Sequence, residues 1–318
     1  MGITIIMYFK EKTIKGRKYK YAVKSVRLID GKKISLEKIY KGEKKQDLEK
    51  FFKQKEIEEN IKYSLKKYSK DYIINENEIK KIEEIRLNYR RVIKKIPKNS
   101  LRDLWDRFTA NFTYESNALE GNSLTLKDVA IVMFENASIK GKDLREIFET
   151  RNSRKVVELI INNKLDVSHK DIIKMHKLLV KDLDIQVGYK KIPNIILGRQ
   201  IETTLPEKVY DEMTNLINWY NENKNTMHPI KIASIFHGKF EHIHPFEDGN
   251  GRVGRFLINI ILIKNKYPPL IIRKSQRVSY LKVLESFDHK YQDALVRFLL
   301  DRIKDTYRKF FEIYVKYV

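Results

Sequence analysis

The sequence predicts a mainly α-helical protein that is preceded by a small antiparallel β-meander. Residues 3–41 alternate between apolar and polar side chains in short runs, which is the pattern of β-strands. Beyond Gly42 the apolar residues recur at helical spacing, and this spacing breaks once more, between residues 187 and 203. With 318 residues and 42% hydrophobic side chains, the chain is long enough for one sizeable core with an accessory module.

The predicted meander occupies about residues 1–45. Tyr19, Tyr21 and Val23 are spaced by two and alternate with polar residues or alanine. Asp30-Gly31 separates two apolar-polar runs, and this dipeptide is a strong hairpin signal because both of its residues tolerate a positive φ.

Two charged helices, at residues 46–69 and 75–96, form a predicted connector over 46–99 that ends near Pro97. Ser100 is a candidate cap for the next helix, which ends at Gly121. Further helices are predicted from their apolar periodicity near residues 125–135, 142–163, 168–181, 206–223, 229–243, 250–265, 277–288 and 290–315.

The formal charge of +23 is concentrated near the N-terminus. Residues 1–100 contain 29 Lys and Arg against 14 Asp and Glu. Such an excess suits nucleic acid, an acidic partner or an anionic membrane. A Lys-rich solvated surface explains it equally well, because lysines alternate with glutamates and no DNA-reading motif is recognisable.

Several classes of protein are excluded by composition. The chain has no cysteine, so disulfides, thiolate catalysis and cysteine-ligated zinc do not apply. No apolar run approaches the roughly 18 residues of a membrane span, and the apolar residues 2–9 lack the flanks of a signal peptide. We therefore expect a cytoplasmic protein without a membrane partner. His242-x-His244 is not expected to bind zinc, because residues two apart on a helix diverge.

Residues 244–255 combine the groups that nucleotide chemistry requires. Gly249-Asn250-Gly251 precedes a helical run, and a glycine-containing turn at a helix N-terminus binds phosphate through free backbone N–H groups and the helix dipole. Arg252 and Arg255 lie on neighbouring surface of the first turn, where both can grip phosphates.

Two further side chains complete this predicted site. Asp248 offers a hard oxygen ligand for a Mg²⁺ that bridges phosphates. His244 titrates near neutrality and can accept a proton from an attacking hydroxyl.

The string His244-Pro-Phe-Glu-Asp-Gly-Asn-Gly-Arg-Val-Gly-Arg255 resembles the Fic family motif at every specified position, and the resemblance extends over residues 100–300. It implies a Fic-type helical bundle over 100–318 that transfers AMP from ATP, with Mg²⁺, to a Ser, Thr or Tyr hydroxyl. His244 is then the general base, Asp248 the metal ligand and Tyr280 a neighbour of the nucleotide base. The implied nucleotide-binding residues are Asp248, Gly249, Asn250, Gly251, Arg252, Val253, Gly254, Arg255 and Tyr280.

Ser116-Asn-Ala-Leu-Glu120-Gly121 resembles the family's inhibitory motif, within a predicted helix over about 101–121. The resemblance implies that Glu120 pairs with Arg255 in place of a phosphate and holds the enzyme inactive. Without the downstream motif, a glutamate near a helix C-terminus would be expected to face solvent.

Residues 187–203 resemble the family's β-hairpin flap, with Leu197, Gly198, Arg199 and Gln200 where flap, nucleotide and target meet. The family often has Gly-x-Tyr-Arg before the flap, whereas this chain has Gly188-Tyr-Lys-Lys191. The support of the flap therefore departs from the family pattern.

The predicted function is an autoinhibited protein adenylyltransferase, with modification of itself and removal of AMP left open as further activities. Two alternatives stay open: transfer of another phosphoryl-containing group, and a nucleic-acid-binding regulator that uses the basic N-terminal third. The partners considered are ATP, a target protein that the sequence does not name, a second copy of the chain in a homodimer, and nucleic acid.

Overall fold

A computed structural model describes residues 7–194 and 203–318. The chain divides into two compact units, residues 1–87 and 88–318. The boundaries at 45 and 99 expected from the sequence stay predictions, and the first charged helix shares its core with the sheet.

The N-terminal unit contains the predicted meander. Strands β1 (Tyr8–Ile14), β2 (Arg17–Arg27) and β3 (Lys33–Ile39) pair antiparallel in the order β1-β2-β3. Gly31, in the turn before β3, has a φ of +90°, a value that favours glycine. The Asp30-Gly31 turn predicted from the sequence is confirmed.

Helix α1 (Lys45–Lys67) covers one face of this sheet. Ala22, Val26 and Leu36 form a hydrophobic cluster with Leu48 and Phe52 of the helix. A three-stranded sheet needs such a partner to bury one face.

The second charged helix, α2 (Glu76–Lys95), is followed by the helices of the C-terminal unit. These are α3 (Lys98–Leu119), α4 (Leu126–Ala130) with a π-helical turn at Ile131–Glu135, α5 (Leu144–Ile161), α6 (His169–Leu179), α7 (Pro206–Asn223), α8 (Pro229–Ile243), α9 (Asn250–Lys264), α10 (Arg277–Asp288) and α11 (Gln292–Phe310). The mainly α-helical fold class is confirmed, and α7, α8 and α10 have the predicted bounds.

Helices α8 and α9 form the centre of this unit. Both are buried on nearly all sides, which explains why their sequences are apolar around the whole helix. Gly238 of α8 lies directly against the ring of Phe287 in α10. The loop between α8 and α9, which carries the predicted chemistry, is therefore anchored at both ends in the core.

Helix α3 begins at Lys98 after Pro97, so the prediction that Ser100 caps it is wrong. Pro97 is the N-cap residue, with φ of −56° and ψ of 148°, and Ser100 lies within the first turn of the helix. Among the described residues, no helix is long and apolar enough to cross a membrane. The central part of the predicted flap, including Leu197, Gly198, Arg199 and Gln200, lies outside the described residues.

Candidate active site

The catalytic loop, residues 244–249, begins with a change of backbone direction at the end of α8. His244 has a φ of +51°, and its N–H donates to the carbonyl of Phe240 at 3.0 Å. This left-handed cap directs the chain out of the helix, and the His244 side chain is half-buried there. Gly249, at the other end of the loop, has a φ of +81° and directly precedes α9.

Asn250 closes the loop on itself. Its side-chain oxygen accepts from the N–H of Phe246, and its side-chain amide donates to the carbonyl of Phe246, both at 2.8 Å. Asn250 is 2% exposed and Phe246 is fully buried. The asparagine therefore shapes the loop and presents no side chain to a phosphate.

His176 of α6 packs against the loop. Its ring stacks on Phe246 with 3.9 Å between centroids and 3° between planes. Nδ1 accepts from the N–H of Gly188 at 3.2 Å, so Nε2 carries the proton and donates to the carbonyl of Asp248 at 3.1 Å. Burial lowers the pKa of His176 to about 4, which keeps this imidazole neutral at pH 7.

The segment before the predicted flap is also bound to the loop. Lys190 donates its backbone N–H to the carbonyl of Pro245 at 2.9 Å. Its ammonium donates to Asn194 at 2.6 Å and to Thr203 at 2.9 Å, so this lysine joins the two described edges of the flap. Burial lowers the pKa of Lys190 to about 8. Lys190 thus connects the segment before the predicted flap to the loop.

The first turn of α9 provides a buried cation. Arg252 is 2% exposed, and its Nε and Nη1 have no hydrogen-bond partner among the described residues. The first N–H groups of a helix are likewise free of partners within the helix. Buried donors of this kind, at the positive end of a helix dipole, suit a phosphate.

Val253 and Gly254, in the first turn of α9, contribute to the packing of this helix. Val253 is fully buried. A Cβ on Gly254 would overlap Glu241 and His237 of α8, so glycine allows α8 and α9 to approach closely. Their predicted contact with the nucleotide stays a prediction, and only their backbone could make it.

Arg255, the second predicted clamp, is occupied by α3. Its Nε donates to the hydroxyl of Ser116 at 2.9 Å, and its Nη2 donates to the carbonyl of Ser116 at 2.9 Å and to Glu120 Oε1 at 2.6 Å. Burial alone lowers the pKa of Arg255, but the Glu120 carboxylate and other nearby groups outweigh this effect and the pKa is raised.

The Glu120 carboxylate lies directly on the backbone of Gly251. A Cβ at Gly251 would overlap Glu120 Oε1 and come within 2.8 Å of an Arg255 nitrogen. Gly121 follows with a φ of +101°, which ends α3 and turns the chain away. Glu120 thus occupies the space above the first turn of α9, where a bound phosphate would lie.

Tyr280 lies beneath Arg255. It is 3% exposed, its hydroxyl is 2.7 Å from His237 Nε2, and burial raises its pKa. The predicted neighbourhood of Tyr280 and the nucleotide base stays a prediction, because the described contacts bind the hydroxyl to α8.

Asp248 is the carboxylate of the loop that pairs with two arginines of the site, Arg145 and Arg252. It forms an ion pair with Arg145 of α5, and its Oδ2 lies 3.5 Å from Arg252 Nη2. The described residues contain no group of three metal-ligating side chains. A single half-exposed carboxylate beside a phosphate site nevertheless fits Mg²⁺, which binds through one or two carboxylates together with substrate phosphates.

Sequence reasoning missed three side chains of this site: His176, Arg145, and Glu149 of α5, whose Oε1 lies 3.4 Å from Arg252 Nη1. His176 lies among the apolar residues of an amphipathic helix, and a polar residue on such a face was the available signal. Arg145 gave a weaker signal, a cation in the first turn of a helix, where the dipole disfavours it.

Comparison with known proteins supports this assembly. Residues 166–262 match the Fic/DOC family. The chain is 32% identical over 198 residues to the protein adenylyltransferase Fic of Drosophila melanogaster, a match that covers 61% of this chain and 40% of that protein. The chain therefore spans less than half the length of these relatives.

Solved structures show the same fold. A Fic-domain-containing signalling protein from Bacteroides thetaiotaomicron superposes with a TM-score of 0.65 at 26% identity, over 71% of this chain and 94% of that one. A Fic family protein from Desulfovibrio desulfuricans gives a TM-score of 0.65 at 29% identity, over 76% and 75% of the two chains.

Proposed function

We propose that this chain, which belongs to the Fic family through residues 166–262, is a protein adenylyltransferase that transfers AMP from ATP to a Ser, Thr or Tyr hydroxyl. One observation carries the proposal. The loop brings a histidine, a carboxylate and a buried arginine with open donors together at the N-terminus of α9. The name of the Drosophila relatives agrees with this chemistry.

The nucleotide phosphates are proposed to bind at the first turn of α9. The Nε of Arg252, which has no hydrogen-bond partner among the described residues, and the N-terminal N–H groups supply donors there. Asp248 would hold Mg²⁺, which supplies charge neutralisation to the phosphates when bound. Asn250 and His176 fix the loop so that these groups need no reorganisation.

His244 acts as the general base in the proposed reaction. It accepts the proton of the target hydroxyl while that oxygen attacks the α-phosphorus of ATP. The bond between the α-phosphorus and the bridging oxygen breaks, and pyrophosphate leaves with the electron pair. The product is a phosphodiester between AMP and the target side chain.

Autoinhibition by Glu120 is part of the same proposal. The Glu120 carboxylate occupies Arg255 and lies on Gly251, so it competes with a phosphate for both the cation and the space. Ser116 holds the same guanidinium from the other side.

Transfer of label from ATP tests the function. The Glu120→Gly protein is incubated in lysate with ATP labelled at the α-phosphate, beside the same protein with His244→Ala and a matched control with His242→Ala. His242 is exposed and pairs with Asp288, so its loss leaves transfer intact. Label on protein that persists after His244→Ala would contradict the proposed base.

The position of the label distinguishes AMP transfer from other phosphoryl chemistry in the same fold. Label at the α-phosphate that enters protein, with none from the γ-phosphate, supports AMP transfer. Incorporation only from γ-labelled ATP would identify a phosphate as the transferred group. Incorporation only from UTP or CDP-choline would identify that donor, and not ATP, as the source of the group.

We propose a second function for the N-terminal unit, binding of single-stranded nucleic acid. On the sheet face opposite α1, strand register aligns Lys10 with Tyr21 and Lys12 with Tyr19. Residues 7–41 contain 12 Lys and Arg against 3 Asp and Glu. Cations beside half-exposed tyrosines suit a phosphate backbone with stacked bases. Glu37 pairs with both lysines, so the phosphate contacts are assigned to exposed cations of the same strands such as Arg17.

Fluorescence anisotropy of a labelled oligonucleotide tests this second function with the full chain. We expect binding that weakens steeply with salt and with Arg17→Glu, whereas Lys70→Glu, the same charge change away from the sheet, has a smaller effect. Equal losses for both variants would indicate unspecific attraction and would refute a site on the sheet.

A further inference from the structure

Helix α5 completes a ring of four alternating charges around the catalytic loop. We define the charge ring as Asp248, Arg145, Glu149 and Arg252. Arg145 pairs with Asp248, and its Nε lies 3.4 Å from Glu149 Oε1. Glu149 Oε1 lies 3.4 Å from Arg252 Nη1, and Arg252 Nη2 lies 3.5 Å from Asp248 Oδ2.

The two sides of the charge ring differ in burial. The side chains of Glu149 and Arg252 are 11% and 2% exposed, whereas those of Arg145 and Asp248 are 53% and 39% exposed. Asn122 also donates to Glu149 Oε2 at 3.0 Å, which fixes this carboxylate from the segment after Gly121. The Glu149 and Arg252 side chains are therefore held in place, whereas the exposed Arg145 side chain can move.

The position of Arg145 is not explained by the stability of its helix. It follows Asp143, the N-cap of α5, and lies in the first turn, where the helix dipole disfavours a cation. Asp143 accepts from the backbone N–H of Arg145, so the backbone there is fixed. Two described contacts compensate the cation at this point: the ion pair with Glu149 one turn further along α5, and the ion pair with Asp248 of the loop.

We propose that Arg145 is the resident counter-ion of Asp248 and that it leaves this carboxylate when a metal–nucleotide complex binds, while Glu149 keeps Arg252 in place. The inference rests on the proposed function, because it assigns the metal to Asp248. Asp248 cannot keep a guanidinium and a divalent cation at close range without repulsion between the two cations. Arg145 thus raises the metal concentration that nucleotide binding requires.

Arg145 and Glu149 are positioning residues in this proposal. Arg145 has the exposure and side-chain length to move into solvent. Arg252 does not, because its guanidinium is buried between two carboxylates. When Arg145 leaves, its contact with Asp248 is broken, whereas the contact of Arg252 with Glu149 stays intact.

Nucleotide binding as a function of Mg²⁺ tests the inference without a readout of catalysis. The full chain with Glu120→Gly is titrated with a fluorescent ATP analogue at a series of Mg²⁺ concentrations. We expect Arg145→Ala to lower the Mg²⁺ concentration at half-maximal binding roughly two- to five-fold, the scale of a half-exposed ion pair. Affinity at saturating Mg²⁺ stays unchanged.

Two further variants separate the contact with Asp248 from general electrostatics. Lys155→Ala removes the same charge from an exposed position of α5 and leaves the Mg²⁺ dependence unchanged. Arg145→Lys keeps the charge and gives a smaller shift than Arg145→Ala. Thermal unfolding of each variant confirms that the fold is retained.

Three outcomes would overturn the inference. An unchanged Mg²⁺ midpoint in Arg145→Ala, with normal binding by the parent, would show that Arg145 does not compete for Asp248. Weaker binding at saturating Mg²⁺ would make Arg145 a phosphate ligand instead. If the Glu120→Gly parent binds no nucleotide at any Mg²⁺ concentration, the proposed function fails and this inference with it.

Discussion

Replacing Glu120 by glutamine and by glycine separates charge from volume at the inhibitory contact. Glu120 Oε1 accepts from Arg255 Nη2 at 2.6 Å and also occupies the space above Gly251. Glutamine keeps the volume and an accepting oxygen but removes the charge. Glycine removes all three.

The size of the effect follows from the environment of the pair. A hydrogen bond to a charged group contributes about 1.5–3 kcal/mol. We take the lower end, about 1.5 kcal/mol, because 43% of the Glu120 side chain is exposed and solvent screens the pair. Loss of the whole bond would raise transfer about tenfold. Glu120→Gln keeps a weaker bond through its amide oxygen and should raise transfer by less than this factor, whereas Glu120→Gly removes the bond and opens the space above Gly251 and should raise transfer by at least this factor.

The assay is the initial rate of label transfer from ATP at a fixed concentration below saturation. Asp103→Asn is the matched control, since it removes an exposed carboxylate from the same helix without a contact to the site. Equal rates for wild type, Glu120→Gln and Glu120→Gly would refute inhibition by this contact. A rise with glycine alone would assign the inhibition to volume.

Three further predictions concern stability. The pKa of His176 is 6.5 in the unfolded chain and about 4 in the folded protein. Its contribution to the free energy of unfolding, up to about 3 kcal/mol, is complete above pH 6.5 and is lost as the pH falls toward 4. In urea unfolding, His176→Phe should therefore lose less stability than the wild type over this pH range. Asn250→Ala removes the partner of the Phe246 N–H, whereas the Phe246 carbonyl keeps its bond from Asn194, and should cost about 1–3 kcal/mol in urea unfolding. Gly238→Ala places a Cβ 2.6 Å from ring carbons of Phe287 and should cost about 1–3 kcal/mol, which calorimetry would show as a Tm about 2–4 °C lower per kcal/mol.

Each of these predictions has a control and a contradicting result. His289→Phe, at an exposed histidine, should leave the acid dependence unchanged; a change equal to that of His176→Phe would remove the assignment. Asn221→Ala, on an exposed turn of α7, should be neutral, and an equal cost would contradict the loop closure. Phe287→Leu should reduce the loss of stability caused by Gly238→Ala, because the smaller side chain leaves room for the Cβ. Additive losses of stability in the double variant would contradict the overlap.

Much of the helical frame was predictable because its determinants are local. Pro206 and Pro229 mark helix starts, and the apolar periodicity carries each helix to its end, so the predicted bounds of α7 and α8 match the structure. Ser100 shows the limit of local reasoning, since Pro97 starts α3 earlier than a cap preference indicated.

Reasoning from the residues alone located only side chains that are neighbours in the chain. The pairing of Glu120 with Arg255 was expected from the resemblance of residues 116–121 to the inhibitory motif, and the two side chains are in contact. His244, Asp248 and Arg252 were found because they fall within one loop and the helix turn that follows it. Arg145 lies 103 residues from Asp248, and His176 lies 72 residues from it. Each looked locally like an ordinary helix residue, and no local pattern indicates which charge or imidazole will reach the loop.

The sequence by itself determined most helices, the Asp30-Gly31 turn and the set of functional groups in the loop of residues 244–249, because spacing, turn geometry and functional groups are properties of neighbouring residues. The tertiary structure decided which side chains meet that loop. It placed the Glu120 carboxylate on Gly251, the imidazole of His176 under Phe246 and Arg145 on Asp248. Such partners are selected by the packing of whole helices, which sums many contacts over the chain and is encoded in no single segment.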